Sequence, residues 1–436
     1  MSHAPSPSTR VRPPPGPLSA SISPPGSKSL TNRALVLAAL ADGTSTLRGC
    51  LDSEDTRAML QAVARFGLAH ALADARTTVT LTGGGGPPRA LDDPARPIDV
   101  ATAGTAARFL TAVLAASPLV SRVDGSPRMR ERPMEGLLRA LRDQGADIRT
   151  LDGAADAECL PIEIHGARLR GGEIRLPRPP SSQFISALIL AAALAERPTR
   201  IILEQGTPAR PYVDMTLVAL RDFGGDADWS APDELAISPT PLRARDYTVE
   251  PDASAASYLL ALPAIYGGSV TVPDLGSASV QGDAAFCHVL ARMGAAVTQT
   301  ADSTTVTGTG ALHGVDLDLT HMPDMTLTAA VLALHARGTT RITGVEILRH
   351  HESDRLAAAA TELRKLGAHV DEHHGGLVIT PPSTPRQDVA IDTYLDHRMA
   401  MAFSLAGHVE IRDPACVGKT YPKFFDVLGD LGMRDR

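Results

Sequence analysis

The chain has 436 residues, 43% of them hydrophobic, 3% aromatic and 21% charged, with a formal net charge of −7. That length exceeds what one core fills, so two domains are expected. The acidic balance gives no electrostatic reason to bind nucleic acid or an anionic membrane, and so few aromatic rings offer no stacking platform for single strands.

Residues 1–17 are rich in Pro and Ser, lack the apolar core of a signal peptide, and read as a disordered tail. A short strand at Ser19–Ile22 follows and is expected to join the C-terminal half. Beyond Pro24-Pro25-Gly26 one pattern recurs six times: an Ala/Leu-rich helix, a turn, a strand, and a second helix that stops on glycine before another strand. The apolar helices are expected at 33–41, 106–116, 183–195, 254–266, 326–336 and 397–406. The stops are Phe66-Gly67, Gln144-Gly145, Phe223-Gly224, Met293-Gly294, Leu366-Gly367 and Leu431-Gly432, each placing glycine where a helix end favours positive φ. Alternating strands and helices mean an α/β fold. The loop around Pro239, Pro241 and Asp246 is the expected boundary, giving one discontinuous domain from 18–26 and 246–436 and another from 27–245, with three repeats each. No apolar run reaches the roughly 18 residues of a membrane span. Cys50, Cys159, Cys287 and Cys416 lie far apart without a CxxC, which points to a reducing cytoplasm rather than disulfides or a zinc site.

Charge gathers where the first helix of each repeat begins. The strings are Gly26-Ser27-Lys28-Ser29 with Arg33, Thr102-Ala103-Gly104-Thr105 with Arg108, and Ser181-Ser182-Gln183; the other half has Asp252, Asp324 and Asp396-His397-Arg398. Small hydroxyl and carboxylate residues are good N-caps, and that alone accounts for many of them. Free N–H groups and the helix dipole also attract anions, so the set together suggests an anion site. Arg128, Arg130 and Arg132 crowd one proline-flanked loop, His351-Glu352-Ser353-Asp354-Arg355 opens a second helix, and Gly418-Lys419-Thr420 holds the equivalent place in the last repeat. Only Lys28, Lys365, Lys419 and Lys423 are lysine among 42 Lys and Arg residues, and two of the four fall in these strings. A cleft lined by Lys and Arg, with Asp324 and Glu352 for proton transfer, is the expected site. The Gly26 loop is not a Walker P-loop, since it lacks the Gly-Lys pair and the earlier glycine.

Taken together the strings closely resemble the 3-phosphoshikimate 1-carboxyvinyltransferase (5-enolpyruvylshikimate-3-phosphate synthase) family. The motifs are PGSKSLTNRAL from Pro25, AGTAARF from Ala103, SPRMRERP from Ser126, SSQF from Ser181, ESDRL from Glu352, DHRMAM from Asp396 and DPACVGKTYP from Asp413. The resemblance implies a two-domain inside-out α/β barrel of six βαβαββ-type repeats, three per domain, with the active site in the interdomain cleft. It also implies transfer of the enolpyruvyl group of phosphoenolpyruvate to the 5-hydroxyl of shikimate 3-phosphate, on the route to chorismate. Lys28, Ser29, Arg33, Ser181, Ser182, Gln183, Asp324 and His351 would hold shikimate 3-phosphate. Lys28, Gly104, Arg128, Gln183, Glu352, Arg355, Arg398 and Lys419 would surround phosphoenolpyruvate. Lys28, Asp324 and Glu352 are the expected catalytic residues, with no metal or organic cofactor, and the enzyme is expected to be a cytoplasmic monomer with no nucleic-acid or membrane partner.

Three positions depart from the family pattern. His351 stands where Lys is frequent, Thr102 where Asn is frequent and Phe109 where Pro is frequent. A histidine changes charge near neutral pH, so the acidic limb of the rate profile is expected to differ from that of a His351→Lys variant. Thr102 and Phe109 flank Gly104 and leave open the response to glyphosate, which occupies the enolpyruvate place in this family. Two rival readings are a UDP-N-acetylglucosamine enolpyruvyltransferase, whose mobile loop commonly carries a Cys that Ser126–Pro133 lacks, and a DNA-clamp-like ring.

Overall fold

The computed structural model describes residues 7–151 and 158–434. The chain forms two compact units: one takes the chain up to Pro25 together with everything from Glu250, and the other is Gly26–Val249.

The Gly26–Val249 unit carries three four-stranded sheets built alike. Their strand orders are Asp246–Thr248, Asp42–Arg48, Thr78–Gly84, His70–Ala73; then Ile98–Asp99, Val120–Asp124, Ile162–His165, Asp147–Thr150; then Gly172–Leu176, Thr199–Leu203, Glu234–Ser238, Asp226–Ala231. In each, the first two strands are parallel and the remaining pairings antiparallel. The parallel pair needs a crossover and the antiparallel pair only a hairpin, which is the βαβαββ order.

The other unit repeats the scheme with Leu18–Ser21, Gly268–Pro273, Ser303–Gly308, Ala296–Gln299 and with Asp316–Asp318, Thr340–Thr343, Gly376–Thr380, His369–His373. Its third sheet has three strands: Val389–Ile391 parallel to Val409–Arg412, which pairs antiparallel with Ser8–Val11. The segment expected to be a disordered tail therefore includes a sheet strand. Thr9 and Val11 point inward and are buried, and Arg12 N donates to Met433 O. Residues 1–6 lie outside the described residues.

Two strands pair away from their neighbours in sequence. Leu18–Ser21 runs on towards the helix Lys28–Leu40, yet lies beside Gly268–Pro273, as expected for a strand of the C-terminal half. Asp246–Thr248 runs on towards the helix Ala253–Tyr266, yet lies beside Thr46–Arg48. That pairing moves the boundary expected at Asp246 to beyond Val249.

Each repeat begins with a helix buried along almost its whole length: Lys28–Leu40, Gly104–Ala115, Ser182–Ala192, Ala253–Tyr266, Thr326–Leu334 and His397–Phe403. Their Ala/Leu composition is apolar on every face, so they form the inside of each unit and the half-buried sheets form its outside. The second helices are amphipathic; Glu135–Asp143 buries Leu137, Leu138, Ala140 and Leu141 and exposes its charges. All six stop glycines have positive φ, from 73° at Gly432 to 118° at Gly145. This is an inside-out α/β architecture, three repeats to a unit. Among the described residues no helix is long and apolar enough to cross a membrane.

Candidate active site

In the unit containing the C-terminus, six of the sequence-derived candidates form one charged network. Its centre is Arg355, first residue of the helix Arg355–Lys365 and 2% exposed. Arg355 donates to Asp396 (Nε to Oδ2, 2.7 Å; Nη2 to Oδ1, 3.2 Å), to Asp324 (Nη1 to Oδ1, 2.9 Å) and to Glu352 (Nη2 to Oε2, 2.9 Å). The Nδ1 of His351 lies 3.2 Å from Arg355 Nη1. Arg398 donates to the second oxygen of Asp324 at 2.8 Å and to Tyr258 Oη at 3.4 Å, while Lys419 Nζ lies 3.4 Å from Glu352 Oε1.

The local sequence explains how these groups are aimed. Asp396 caps the helix His397–Phe403, accepting from Arg398 N, and Asp354 caps Arg355–Lys365, accepting from Ala357 N. Each cap sets an arginine within the first turn. Asp252 does the same capping work for its own helix. Asp324 is different: Thr326–Leu334 has no side-chain cap, and the Asp324 carboxylate turns to the two arginines. Capping thus accounts for Asp252 and part of Asp396, but not for Asp324.

Burial sorts the carboxylates further. Asp396 is completely buried, whereas the side chains of Asp324 and Glu352 keep 17% and 15% of their surface open. Burial pushes the Asp324 carboxyl up, but the fields of Arg398, Arg355 and His351 more than reverse this and hold it well below the usual carboxylate range. For Arg355, burial disfavours the charge, and Asp396, Glu352 and Asp324 outweigh it, so the group stays charged. Tyr258 is pushed up to about 12, chiefly by burial and against the pull of Arg398, and keeps its proton at neutral pH.

The Gly26–Val249 unit holds the remaining candidates. Lys28 opens the helix Lys28–Leu40, which Ser27 caps, and its Nζ lies 3.2 Å from Asp55. Arg33, one turn on, is 3% exposed and points into the unit. It donates to Ser29 O, Tyr212 O, Thr216 Oγ1 and Ser186 Oγ, and lies over the Phe109 ring at 5.3 Å. Burial draws its pKa down to about 10. Ser181 caps Ser182–Ala192, accepting from Gln183 N, and Gln183 Nε2 reaches Thr105 Oγ1 at 3.4 Å. Thr105 is the neighbour of Gly104, first residue of the helix Gly104–Ala115. A Cβ at Gly104 would stand 2.7 Å from Arg132 Nη1, so this glycine is a matter of space. Arg128 lies apart from these, 42% exposed and paired with Glu131 at 2.8 Å, on a short helix Pro127–Arg130 where a loop was expected.

Sequence reasoning missed Asp55 as the partner of Lys28, the central place of Asp396, and Tyr258. Asp55 sits in the first turn after Ser53 and looks like ordinary helix-start charge. Asp396 doubles as a cap, and Tyr258 lies within an apolar helix. Among the described residues no group of three or more His, Cys, Asp or Glu side chains is placed to hold a metal ion.

Three repeats in each of two compact units, with cations and paired carboxylates at the helix starts, define an inside-out α/β barrel enzyme class. Residues 13–428 match the EPSP synthase (3-phosphoshikimate 1-carboxyvinyltransferase) family. The 3-phosphoshikimate 1-carboxyvinyltransferase of Photobacterium profundum is 43% identical over 415 residues, covering 94% of this chain and 95% of that protein. That of Serratia proteamaculans is 43% identical over 417 residues, with 94% and 95% covered. Among solved structures, EPSP synthase from Acinetobacter baumannii aligns with a TM-score of 0.79 at 26% identity, over 98% of this chain and 99% of that one. The enolpyruvyl transferase NikO from Streptomyces tendae, at 20% identity and a TM-score of 0.78 over 99% and 98% of the two chains, shares the fold. The chain belongs to the EPSP synthase family and is an enzyme. Neither the sugar-nucleotide branch nor the clamp reading is favoured by these likenesses.

Proposed function

We propose that this enzyme transfers the enolpyruvyl group of phosphoenolpyruvate to the 5-hydroxyl of shikimate 3-phosphate, releasing phosphate. Family membership supports the reaction, and one observation carries the mechanism: Arg355 and Arg398 both grip Asp324, while Arg355 and Lys419 both grip Glu352. The free site is neutralised by its own carboxylates. Both substrates are phosphorylated carboxylates, and their anionic groups compete for the same guanidinium and ammonium donors, each charge-assisted bond contributing roughly 1.5–3 kcal/mol.

In this reading Arg355, Arg398 and Lys419 bind phosphoenolpyruvate together with Lys28, Gly104, Arg128, Gln183 and Glu352. Lys28, Ser29, Ser181, Ser182, Gln183, Asp324 and His351 bind shikimate 3-phosphate. Arg33 belongs to that second set mainly by fixing the backbone of Ser29, since most of its guanidinium is spent on protein groups. Both sets act on one substrate pair, and orientation of this kind is worth on the order of 7–11 kcal/mol.

The 5-hydroxyl oxygen bonds to C2 of the enolpyruvate, its proton passes to Asp324, and C3 gains a proton from Glu352 or Lys28. The tetrahedral adduct then expels phosphate from C2 and returns the C3 proton, restoring the double bond. A carboxylate held far below its ordinary pKa is a weak base. Asp324 therefore becomes an effective acceptor only when substrate anions draw Arg355 and Arg398 away from it. The proposal includes a monomer working in the cytoplasm, with glyphosate competing for the enolpyruvate place.

The test is phosphate release with both substrates and with each alone. Release must need both. Lys28→Ala and Glu352→Ala are each expected to lose about 100-fold or more in kcat. Near-normal turnover by either variant, or release from phosphoenolpyruvate alone, would reject the reading.

A further inference from the structure

In the unit containing the C-terminus, Glu352 lies on the short stretch between the turn Glu346–His350 and the helix Arg355–Lys365. Arg349 closes that stretch on itself. Its Nη1 donates at 2.9 Å to Asp354 Oδ2, while the other oxygen of Asp354 accepts from Ala357 N as the helix cap. The same Nη1 donates to Glu372 Oε1 at 2.9 Å, Nη2 to His373 O at 2.7 Å and Nε to His374 O at 2.9 Å. Glu372, His373 and His374 form the tip of the hairpin His369–His373 and Gly376–Thr380, which Val345 N also reaches through Gly375 O at 3.1 Å. One guanidinium therefore joins the turn before Glu352, the helix cap after it and a hairpin tip. A lone surface ion pair is worth little, but a fork with four acceptors on two elements fixes a geometry.

The Gly26–Val249 unit has the same joint with its signs reversed. Asp52 accepts from Arg57, again five residues on, through Nε and Nη2 at 2.6 Å each, and from Arg76 Nε at 3.0 Å. Arg76 lies in the turn of the hairpin His70–Ala73 and Thr78–Gly84, and Thr77 O of that turn accepts from Cys50 N at 2.8 Å. The helix starts earlier here, at Glu54, yet the enclosed chemistry matches. Three residues after Asp52 comes Asp55, 3.2 Å from Lys28 Nζ; three residues after Arg349 comes Glu352, 3.4 Å from Lys419 Nζ. What recurs is the joint and the carboxylate–lysine pair inside it, not the residue types that build the joint.

We infer that Arg349 is a positioning residue for the transfer reaction: by clasping Asp354 and the hairpin tip it holds the loop so that the Glu352 carboxylate stays within reach of Arg355 and Lys419. The inference rests on the function proposed above, in which Glu352 meets phosphoenolpyruvate and Arg349 touches no substrate. Ser353, whose Oγ donates to Asp396 Oδ2 at 3.1 Å, anchors the far end of the loop. Only the clasp ties its near end to the hairpin through a side chain that spans both.

The experiment is a double-mutant cycle on kcat in the two-substrate assay, with Arg349→Gln and Glu352→Gln made singly and together. Arg349→Gln is expected to lower kcat about 10- to 100-fold in the wild-type background, because a catalytic group shifted by an ångström is poorly oriented. In Glu352→Gln, which has no carboxyl left to misplace, the same change should cost less than about threefold. Arg349→Lys keeps the charge but reaches fewer acceptors, so its kcat should lie between those of wild type and Arg349→Gln. Glu372→Gln cuts the clasp on the hairpin side alone. It should lower kcat about three- to tenfold when Glu352 is present and leave the Glu352→Gln enzyme unchanged. If Arg349→Gln does not fold, the Glu372→Gln cycle decides. Equal losses in both backgrounds would make the clasp merely structural and overturn the inference, as would an unchanged kcat in either variant. Wild type without two-substrate activity, or Glu352→Gln with near-normal turnover, would instead reject the proposed function.

Discussion

Arg355 and Asp396 hold each other through two hydrogen bonds, 2.7 and 3.2 Å, at a place where neither has more than 2% of its side chain in contact with solvent. The same arginine serves Asp324 and Glu352 with its outer nitrogens. Asp396 is therefore the fixed counter-ion that sets the direction of the fork, while Asp324 and Glu352 stay partly open, as their proposed contact with substrate requires. Deleting one partner of a buried pair strands the other charge, at about 3–5 kcal/mol. Asp396→Ala also removes a helix cap, about 1 kcal/mol more. Urea unfolding of that variant should show a loss of this size, and Asp396→Asn should recover only the cap. A loss below about 1 kcal/mol for Asp396→Ala would mean the pair does not orient Arg355.

Asp324 should make stability depend on acid. Its folded pKa lies well below its unfolded value of about 3.9, because two arginines and His351 outweigh the effect of burial. The stabilisation is thus fully present above that unfolded value and lost as pH falls towards the folded one. Asp324→Asn is expected to be less stable than wild type at pH 7. The difference should hold to about pH 5 and then narrow, by up to about 1.4 kcal/mol per pH unit below about pH 3.9. Denaturant unfolding of both proteins at pH 7, 5 and 3 measures it; a gap unchanged at pH 3 would contradict the depressed carboxyl.

Much of this was legible in sequence, for reasons that differ residue by residue. Gly67 and its five counterparts were readable because a helix end makes a local demand on φ that glycine meets. Asp324, Glu352, Arg355 and Arg398 were readable as chemistry because carboxylates and guanidinium groups gather at the starts of otherwise apolar helices. What escaped was direction. A helix buried on every face has no polar stripe, so nothing local says that Arg33 turns inward or that Arg132 is the buried member of its trio. Pairing over long separation escaped too: Asp55 and Lys28 meet only through the packing of two helices, and Asp246–Thr248 finds its partner some two hundred residues back.

A second buried carboxylate supports the loop that leads into Asp396. Glu362 is fully buried on the helix that Arg355 begins, and it accepts from Tyr394 Oη at 2.7 Å and from Asp392 N at 3.2 Å, with Lys365 Nζ at 2.8 Å. Burial and Glu362 both push the Tyr394 phenol up, so it remains a donor. Tyr394 and Leu395 both have positive φ, near 55°, a strained conformation that the hydrogen bond to Glu362 helps to hold. Tyr394→Phe leaves Glu362 one donor short and should cost about 1–3 kcal/mol. It should also raise KM for phosphoenolpyruvate more than it lowers kcat, because in the proposed mechanism Arg398 binds and Asp324 reacts. Equal changes in both parameters would show that the latch does not act through the loop.

The strand Ser8–Val11 closes the last sheet by pairing, residue for residue, with Val409–Arg412. Elsewhere in the molecule the corresponding place is filled by a hairpin strand from the same repeat; here the start of the chain fills it. Val11 is 2% exposed, and its burial is worth about 1.5–3 kcal/mol, with about 0.5–1.5 kcal/mol for each backbone hydrogen bond. Removing residues 1–12 should therefore destabilise the C-terminal unit by on the order of 3 kcal/mol or more and leave the edge of Val409–Arg412 open to other chains. The effect should reach the site as well. Val409–Arg412 lies between the helix that carries Arg398 and the turn Pro414–Lys419 that ends on Lys419. Loosening that strand loosens both cations, so the truncated enzyme should show a raised KM for phosphoenolpyruvate at temperatures where it is still folded. Calorimetry and steady-state kinetics on the truncated chain check both effects. If it unfolds at the wild-type temperature, the strand merely drapes over an edge that is stable without it.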